Sequence, residues 1–296
     1  MKVAITGSSG MIGSALCASL RDAGHEVLPV VRGQATETTI GWDPAAGTIE
    51  GERFEGLDAV VHLAGENIAQ RRWNEDQKQR ILDSRAKGTR LISETLAART
   101  CKPKTLISAS AIGYYGDHRD LPVDESSETG DGFLAQVCRA WEDASKPARD
   151  AGIRVVNLRI GVVLSKHGGA LAKMIAPFKM CVGGIIGNGK QVWSWVSIVD
   201  VVGVIQYVLE HDNVSGPINV TSPNASTNAQ FTKALGHVLG RPTVVPMPAF
   251  AAKLALGEMA EALLLSSCRV KPTRLEAAGY EFKHPDLEAA LRALLK

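Results

Sequence analysis

Residues Gly7-Ser8-Ser9-Gly10-Met11-Ile12-Gly13 set three glycines at the spacing of a phosphate-binding turn. They follow the apolar run Lys2 to Thr6 and open a helical pattern, Met11 to Ala23, that Gly24 stops. A strand-to-helix turn of this kind points backbone N–H groups at a pyrophosphate, and the helix N-terminus adds a favourable dipole. Gly7 permits the tight turn, Gly10 lets a phosphate approach the backbone, and Gly13 lets the helix pack closely on the sheet. A glycine triplet alone also fits a purely structural turn; the strand before it and the helix after it favour a dinucleotide.

About 20 residues further on, the end of the second strand distinguishes the two nicotinamide cofactors. It reads Val30-Val31-Arg32-Gly33-Gln34. NAD calls for a carboxylate at its ribose 2′-hydroxyl, whereas Arg32 offers a charge-assisted fork to a 2′-phosphate, so NADP is expected. The plainer alternative is a solvated arginine at a strand end. The third strand ends in His62-Leu63-Ala64-Gly65, whose small residues let backbone approach an adenine-ribose, with His62 read as a satisfied histidine inside the sheet edge rather than a ligand or base. Glu66 to Asn74 is too polar for a core and reads either as a solvated helix entry or as part of a cleft. Arg85, within the following helix, either faces cofactor phosphates or pairs with an acid such as Asp83. After the fourth strand, Ser108-Ala109-Ser110-Ala111-Ile112-Gly113-Tyr114-Tyr115-Gly116 brings hydroxyls to the carboxyl end of a doubly wound sheet, where ligands bind.

The elements that must position these residues alternate strand and helix from the start, the pattern of repeated β-α-β units around a parallel sheet. Strands are expected over 2–6, 26–31, 59–63, 105–108, 154–159 and 218–221. Helices are expected over 11–23, 74–98, 134–151 and 199–210. Residues 165–195 break the pattern with clustered glycines. Beyond Ser222 come helices over 228–239, 249–265 and 286–295. The expected architecture is therefore α/β, a doubly wound parallel sheet of the Rossmann type with a smaller, discontinuous C-terminal domain. Residues 1–164, with 199–221 returning to them, form the dinucleotide-binding domain, and 165–198 with 222–296 form the substrate domain.

Composition excludes several other functions. With 33 Lys and Arg against 31 Asp and Glu, the net charge of +2 is too balanced for the basic face that nucleic acid requires. Aromatic content of 5% argues against a stacking platform for single strands. The five cysteines are scattered without Cys-x-x-Cys spacing, which fits reduced thiols in a cytosol-like compartment. No histidine pair or Cys/His cluster has metal-ligand spacing, so no metal is expected. The N-terminus leaves no room for a signal peptide, and no apolar run reaches the roughly 18 residues of a membrane span. A cytoplasmic protein acting on a small molecule is expected.

Taken together, these residues resemble the short-chain dehydrogenase/reductase superfamily, extended type, over the whole chain. More narrowly the chain is similar to its atypical epimerase family proteins, NADP-dependent oxidoreductases with an appended C-terminal domain. The matching stretches are Leu63-Ala64-Gly65-Glu66-Asn67-Ile68, Arg72-Trp73-Asn74, Ser84-Arg85, Gly113-Tyr114-Tyr115-Gly116, Gly161-Val162-Val163-Leu164, Gly183-Gly184 and Ile186-Gly187. Arg269-Val270, Pro272 and Ala278-Gly279-Tyr280 match near the end. The resemblance implies a cofactor site on Gly7, Ser9, Gly10, Met11, Ile12, Gly13, Arg32, Leu63, Ala64, Gly65, Arg85 and Val163.

Superfamily enzymes usually carry Tyr-x-x-x-Lys on the helix before the fifth strand, the Tyr transferring a proton and the Lys lowering its pKa. Aligned on Glu142, those positions hold Leu134 and Cys138. The superfamily's catalytic serine falls on Ala111, one residue after Ser110, and Ser197 stands where the group more often has His. The candidates for a substitute proton donor are therefore Ser110, Tyr114 and Tyr115. Two functions fit: an NADP-dependent oxidoreductase or epimerase, or a non-catalytic NADP(H)-binding sensor or partner-binding protein that lost the dyad.

Overall fold

The structure is a computed structural model that describes residues 1–33, 35–119 and 121–296. Its centre is an eight-stranded sheet. The chain enters through β1 (Lys2–Thr6), crosses by α1 (Met11–Asp22) to β2 (Glu26–Arg32), and continues into a short hairpin of β3 (Ile40–Asp43) and β4 (Thr48–Ile49). It then returns to the other side of β1 as β5 (Ala59–His62). From there α2 (Glu75–Ala97) leads to β6 (Thr105–Ala111). The short β7 (Pro122–Val123), α3 (Phe133–Asp143) and α4 (Lys146–Asp150) precede β8 (Arg154–Ile160). The sheet order is β12-β8-β6-β5-β1-β2-β3-β4, where β12 spans Gly216–Val220. Within this sheet, among the described residues, only the β3–β4 pair is antiparallel.

Val3 to Ile5 in β1, Val60 and Val61 in β5, and Leu106 and Ile107 in β6 are fully buried. Such continuous apolar strands are what a parallel sheet covered on both faces requires. One face packs on α1 and on α6 (Ile198–Glu210) through Leu16, Leu20, Val204 and Val208. The other packs on α2 and α4 through Ile92, Leu96 and Ala148. The strand order reverses between β1 and β5, which opens a crevice at their carboxyl ends.

Three further two-stranded pairs lie beside this sheet. The first joins β9 (Val162–Leu164) to β11 (Trp195–Ser197), and the second joins β10 (Val192–Trp193) to β13 (Ser226–Thr227). The third joins β7 to β14 (Arg269–Val270). A separate core unites α5 (Gly169–Lys179), α7 (Asn228–Leu239), α8 (Ala249–Leu256) and the C-terminal helix. It does so through Leu171, Phe178, Trp193, Trp195, Phe231, Leu235 and Leu291. Between α8 and the C-terminal helix lie a short helix, α9 (Glu258–Ala260), then α10 (Thr273–Ala277); the C-terminal helix is α11 (Leu287–Leu295). From sequence, all of 222–296 is expected in the second unit. In the structure Leu275, Tyr280 and Phe282 pack with the first core, and Cys268 and Val270 pack with Tyr115 and Val123.

Two expected helices are shorter in fact. The helix over 134–151 breaks at Ala144–Ser145, because Pro147 supplies no N–H and forces a fresh start at Lys146. The helix over 249–265 stops at Leu256, where Gly257 takes φ +63° and ψ −140°, a conformation open to glycine. The fourth strand runs three residues past Ser108, because Ala109, Ser110 and Ala111 continue to pair with Leu158, Arg159 and Ile160 of β8. His62 lies within the sheet, since β5 has neighbours on both sides. Gln34, at the end of the cofactor-choice segment, lies outside the described residues.

Candidate active site

The glycine turn after β1 is built by backbone contacts that exclude side chains. Gly7 has φ +67°, and a Cβ there would lie 2.9 Å from the Ala64 amide nitrogen. A Cβ on Gly13 would lie 2.1 Å from the Gly7 carbonyl oxygen, well inside contact distance. The Gly10 amide donates to the Gly7 carbonyl at 2.9 Å, and the Ser14 amide donates to the Gly10 carbonyl at 2.8 Å. The amides of Met11, Ile12 and Gly13, in the first turn of α1, meet no acceptor among the described residues. Exposed Ser9 precedes them. A cradle without Cβ atoms beside free amides at a helix N-terminus suits a pyrophosphate.

Thr6 fixes the opposite wall. Its hydroxyl accepts the amides of Leu63 and Ala64, both at 3.1 Å, which leaves its own proton for His62 Nδ1 at 2.8 Å. The imidazole hydrogen is thereby assigned to Nε2. His62 is fully buried, edge-on to Trp42, and burial lowers its pKa to about 4. Its Nε2 is buried and meets no partner among the described residues, so the imidazole is satisfied at one nitrogen only and not at both, as a satisfied histidine would be.

Arg32 is exposed at the end of β2. Because Thr6 pairs with Val30, it stands two residues beyond the last residue of β1, on the side of the glycine turn. Arg85 is placed differently from the alternative in which it pairs with Asp83. Its Nη1 donates to the carbonyls of Glu66 and Ile81 at 3.0 and 3.2 Å, and its guanidinium lies over the Trp141 ring. Asp83 pairs with Lys87 instead, at 2.8 Å. Arg85 thus sits directly behind Gly65 and shapes the backbone after β5. Val163, in β9, packs against the first core, and its carbonyl lies near Gly169.

The three hydroxyl candidates after β6 have separate environments. Ser110 is buried and donates to Glu142 Oε1 at 2.8 Å. Tyr115 is fully buried; its hydroxyl donates to Asn219 Oδ1 at 2.7 Å and accepts from Arg159 Nη1 at 3.0 Å. Burial raises the Tyr115 pKa to about 12, against the opposing pull of Arg159. Both hydrogen-bonding directions of the Tyr115 hydroxyl are thereby used within the protein. Tyr114 is half-buried, has the Arg159 guanidinium carbon 3.4 Å from its ring centre, and makes no side-chain hydrogen bond among the described residues. Because residues 112–115 form a tight helical turn, the two rings meet edge to face, their centres 5.4 Å apart.

Leu134 and Cys138, the residues aligned with the superfamily dyad, pack against the turn at Gly113. A Cβ on Gly113 would touch the Leu134 side chain at 3.1 Å and Cys138 Sγ at 3.7 Å, so the turn before Tyr114 rests on this pair. Cys138 is buried, and burial pushes its thiol up to about 12. Burial of this kind disfavours the thiolate that a nucleophile requires.

Sequence patterns did not single out Thr6, Arg159 or Asn219, and used Glu142 only as an alignment mark. The available signal was a charge within an apolar strand, Arg154-Val155-Val156-Asn157-Leu158-Arg159-Ile160. Such a buried charge needs a partner. No group of three or more potential metal ligands occurs among the described residues, and no described helix is long and apolar enough to cross a membrane.

Comparison with known proteins agrees with this geometry. Residues 3–221 match the family described as NAD dependent epimerase/dehydratase, and residues 247–294 match a domain of unknown function, DUF1731. An epimerase family protein of Mycobacterium leprae is 45% identical over 290 residues, covering 98% of this chain and 94% of that protein. The crystal structure of human epimerase family protein SDR39U1 with NADPH superposes with a TM-score of 0.91 at 35% identity, covering 99% of both chains. A nucleoside-diphosphate sugar epimerase from Corynebacterium glutamicum superposes with a TM-score of 0.83 at 38% identity, covering 100% of this chain and 58% of that one. A glycine cradle at the strand-order reversal and a match over most of the chain lead to one conclusion: this protein belongs to the NAD dependent epimerase/dehydratase family, among the epimerase family proteins that carry a DUF1731 domain.

Proposed function

We propose that this protein binds NADP(H) and acts as an oxidoreductase or epimerase on a small molecule held between the sheet and the second unit. The observation that carries the proposal is the cradle in which Gly7 and Gly13 meet at a distance no side chain tolerates, beside the unpaired amides of Met11, Ile12 and Gly13. The solved human relative was crystallised with NADPH, which supports the same cofactor here. Arg32 provides the cation for a 2′-phosphate, Leu63 and Ala64 the wall beside the adenine-ribose, and Val163 an apolar contact from β9.

NADPH, when bound, supplies a hydride to a carbonyl carbon. The carbonyl oxygen then needs a proton from a donor within roughly 2.6 to 3.2 Å. Among the three candidates, Ser110 already donates to Glu142 and Tyr115 to Asn219. Tyr114 is the residue we assign to hold the proton, with Arg159 fixing its ring by stacking.

The packed Leu134 and Cys138 favour a second reading, a non-catalytic NADP(H)-binding protein. One experiment separates the two. Wild type, Tyr114→Phe and Tyr115→Phe are assayed for NADPH binding and for NADPH oxidation against a panel of small carbonyl compounds. An active enzyme turns over, loses turnover in Tyr114→Phe at unchanged NADPH affinity, and in Tyr115→Phe loses about 1–3 kcal/mol of stability through orphaned Asn219 and Arg159 groups. Tight NADPH binding with no oxidation of any compound supports the non-catalytic reading. Absence of NADPH binding overturns both.

A further inference from the structure

The backbone leaving β5 does not return directly to α2. It makes a compact turn, with the Ala69 amide on Asn67 Oδ1 at 2.9 Å and the Trp73 indole N–H on the Ile68 carbonyl at 2.8 Å. Gly65, Asn67, Gln70, Arg71, Arg72 and Asn74 are exposed, and the packing that holds this segment is concentrated at its far end, where Trp73 meets Phe133 edge to face. Its base lies beside the glycine turn, where Leu63 and Ala64 abut Gly7. Its tip is tied to the second unit, because Lys173 of α5 donates from Nζ to the Ala69 carbonyl at 3.1 Å. The same helix begins at Gly168–Gly169, which pack on the side chain of Met11, within the glycine turn.

These contacts close a circuit: glycine turn, Leu63–Ala64, the segment to Ala69, Lys173, the start of α5, and back through Met11. We propose that residues 65–74 form a gate over the dinucleotide site, latched by the Lys173–Ala69 hydrogen bond, and that this latch must release for cofactor to enter or leave. The proposal rests on the NADP(H) reading above. The latch joins an exposed lysine to a single backbone carbonyl, the weakest link of the circuit. The base is better anchored, by the two amide bonds to Thr6 and by Arg85 on the Glu66 carbonyl. Opening therefore begins at the Ala69 end.

A latch that is closed with and without cofactor changes rates and leaves affinity alone. Stopped-flow NADPH fluorescence on the full chain tests this with Lys173→Met, which keeps the aliphatic stem, and with Lys173→Arg, which keeps a donor. The proposal expects association and dissociation rates to rise together in Lys173→Met, each by about fivefold or more, with Kd within about twofold of wild type and near-normal rates in Lys173→Arg. Unchanged rates in Lys173→Met overturn the gate. Faster dissociation at an unchanged association rate also overturns it, by making Lys173 a direct cofactor contact. A wild type that binds no NADPH overturns the NADP(H) reading, and the gate with it; the separate equilibrium titration identifies that case.

Discussion

Arg159 meets the Glu142 carboxylate with two prongs, Nε to Oε1 and Nη2 to Oε2, each at 2.9 Å. Its remaining Nη1 reaches the Tyr115 hydroxyl, and its face covers Tyr114. One side chain, 3% exposed, thereby joins strand β8 to helix α3 and to both tyrosines after β6. The Asn219 amide carries the chain on to the Lys271 carbonyl at 2.9 Å, tying β12 to the segment just after β14.

Removing one partner of such a pair strands the other in a buried setting. Arg159→Met is expected to cost about 3–5 kcal/mol in urea denaturation, whereas Arg159→Met combined with Glu142→Met recovers most of that loss. A single variant within about 1 kcal/mol of wild type would show that water already solvates the pair.

Gly13→Ala places a methyl against the Gly7 carbonyl oxygen, so the first turn of α1 must lift away from the sheet. The expected result is NADPH binding weaker by about tenfold or more and a stability loss of about 1–3 kcal/mol. Ser14→Ala, one residue along on the exposed side of the helix, serves as the control. Calorimetric titration of both variants gives the comparison, and equal affinities would rule out this turn as the phosphate cradle.

Arg32→Asp replaces the cation at the end of β2 by the carboxylate that suits a free 2′-hydroxyl. NADPH affinity should fall by about 1–3 kcal/mol, with NADH binding retained or improved. Equal NADPH and NADH affinities in the wild type would remove Arg32 from cofactor choice.

His62 gives the fold a defined acid sensitivity. Its folded pKa of about 4 lies below the ordinary value of 6.5, because burial disfavours the imidazolium. Between those two values the unfolded chain binds the extra proton, so stability is full above about pH 6.5 and declines as pH falls toward 4. The total contribution is about 3 kcal/mol. Urea midpoints at pH 7, 5.5 and 4.5 should fall in the wild type and fall less in His62→Gln; parallel curves would place the acid sensitivity elsewhere.

The glycine turn after β1 was legible because its requirements are local: three glycines within seven residues, a strand before them and a helix after. The parallel sheet was legible for a similar reason, since strands buried on both faces must be continuous apolar runs wherever they lie in the chain. Even the break before Lys146 had a local signal in Pro147, masked by the helical pattern on both sides.

The surroundings of the candidate hydroxyls were set by contacts between distant positions. Ser110 and Glu142 are 32 residues apart, and Tyr115 and Asn219 are 104 apart. Sequence alone offered Tyr114 and Tyr115 as equals, adjacent and chemically identical. Tertiary structure separated them, because a buried phenol must find hydrogen-bond partners and only Tyr115 lies within reach of both Arg159 and Asn219. Residue types set which groups can donate or accept a proton; the packing of β6, β8, β12 and α3 decided which of those groups are already engaged.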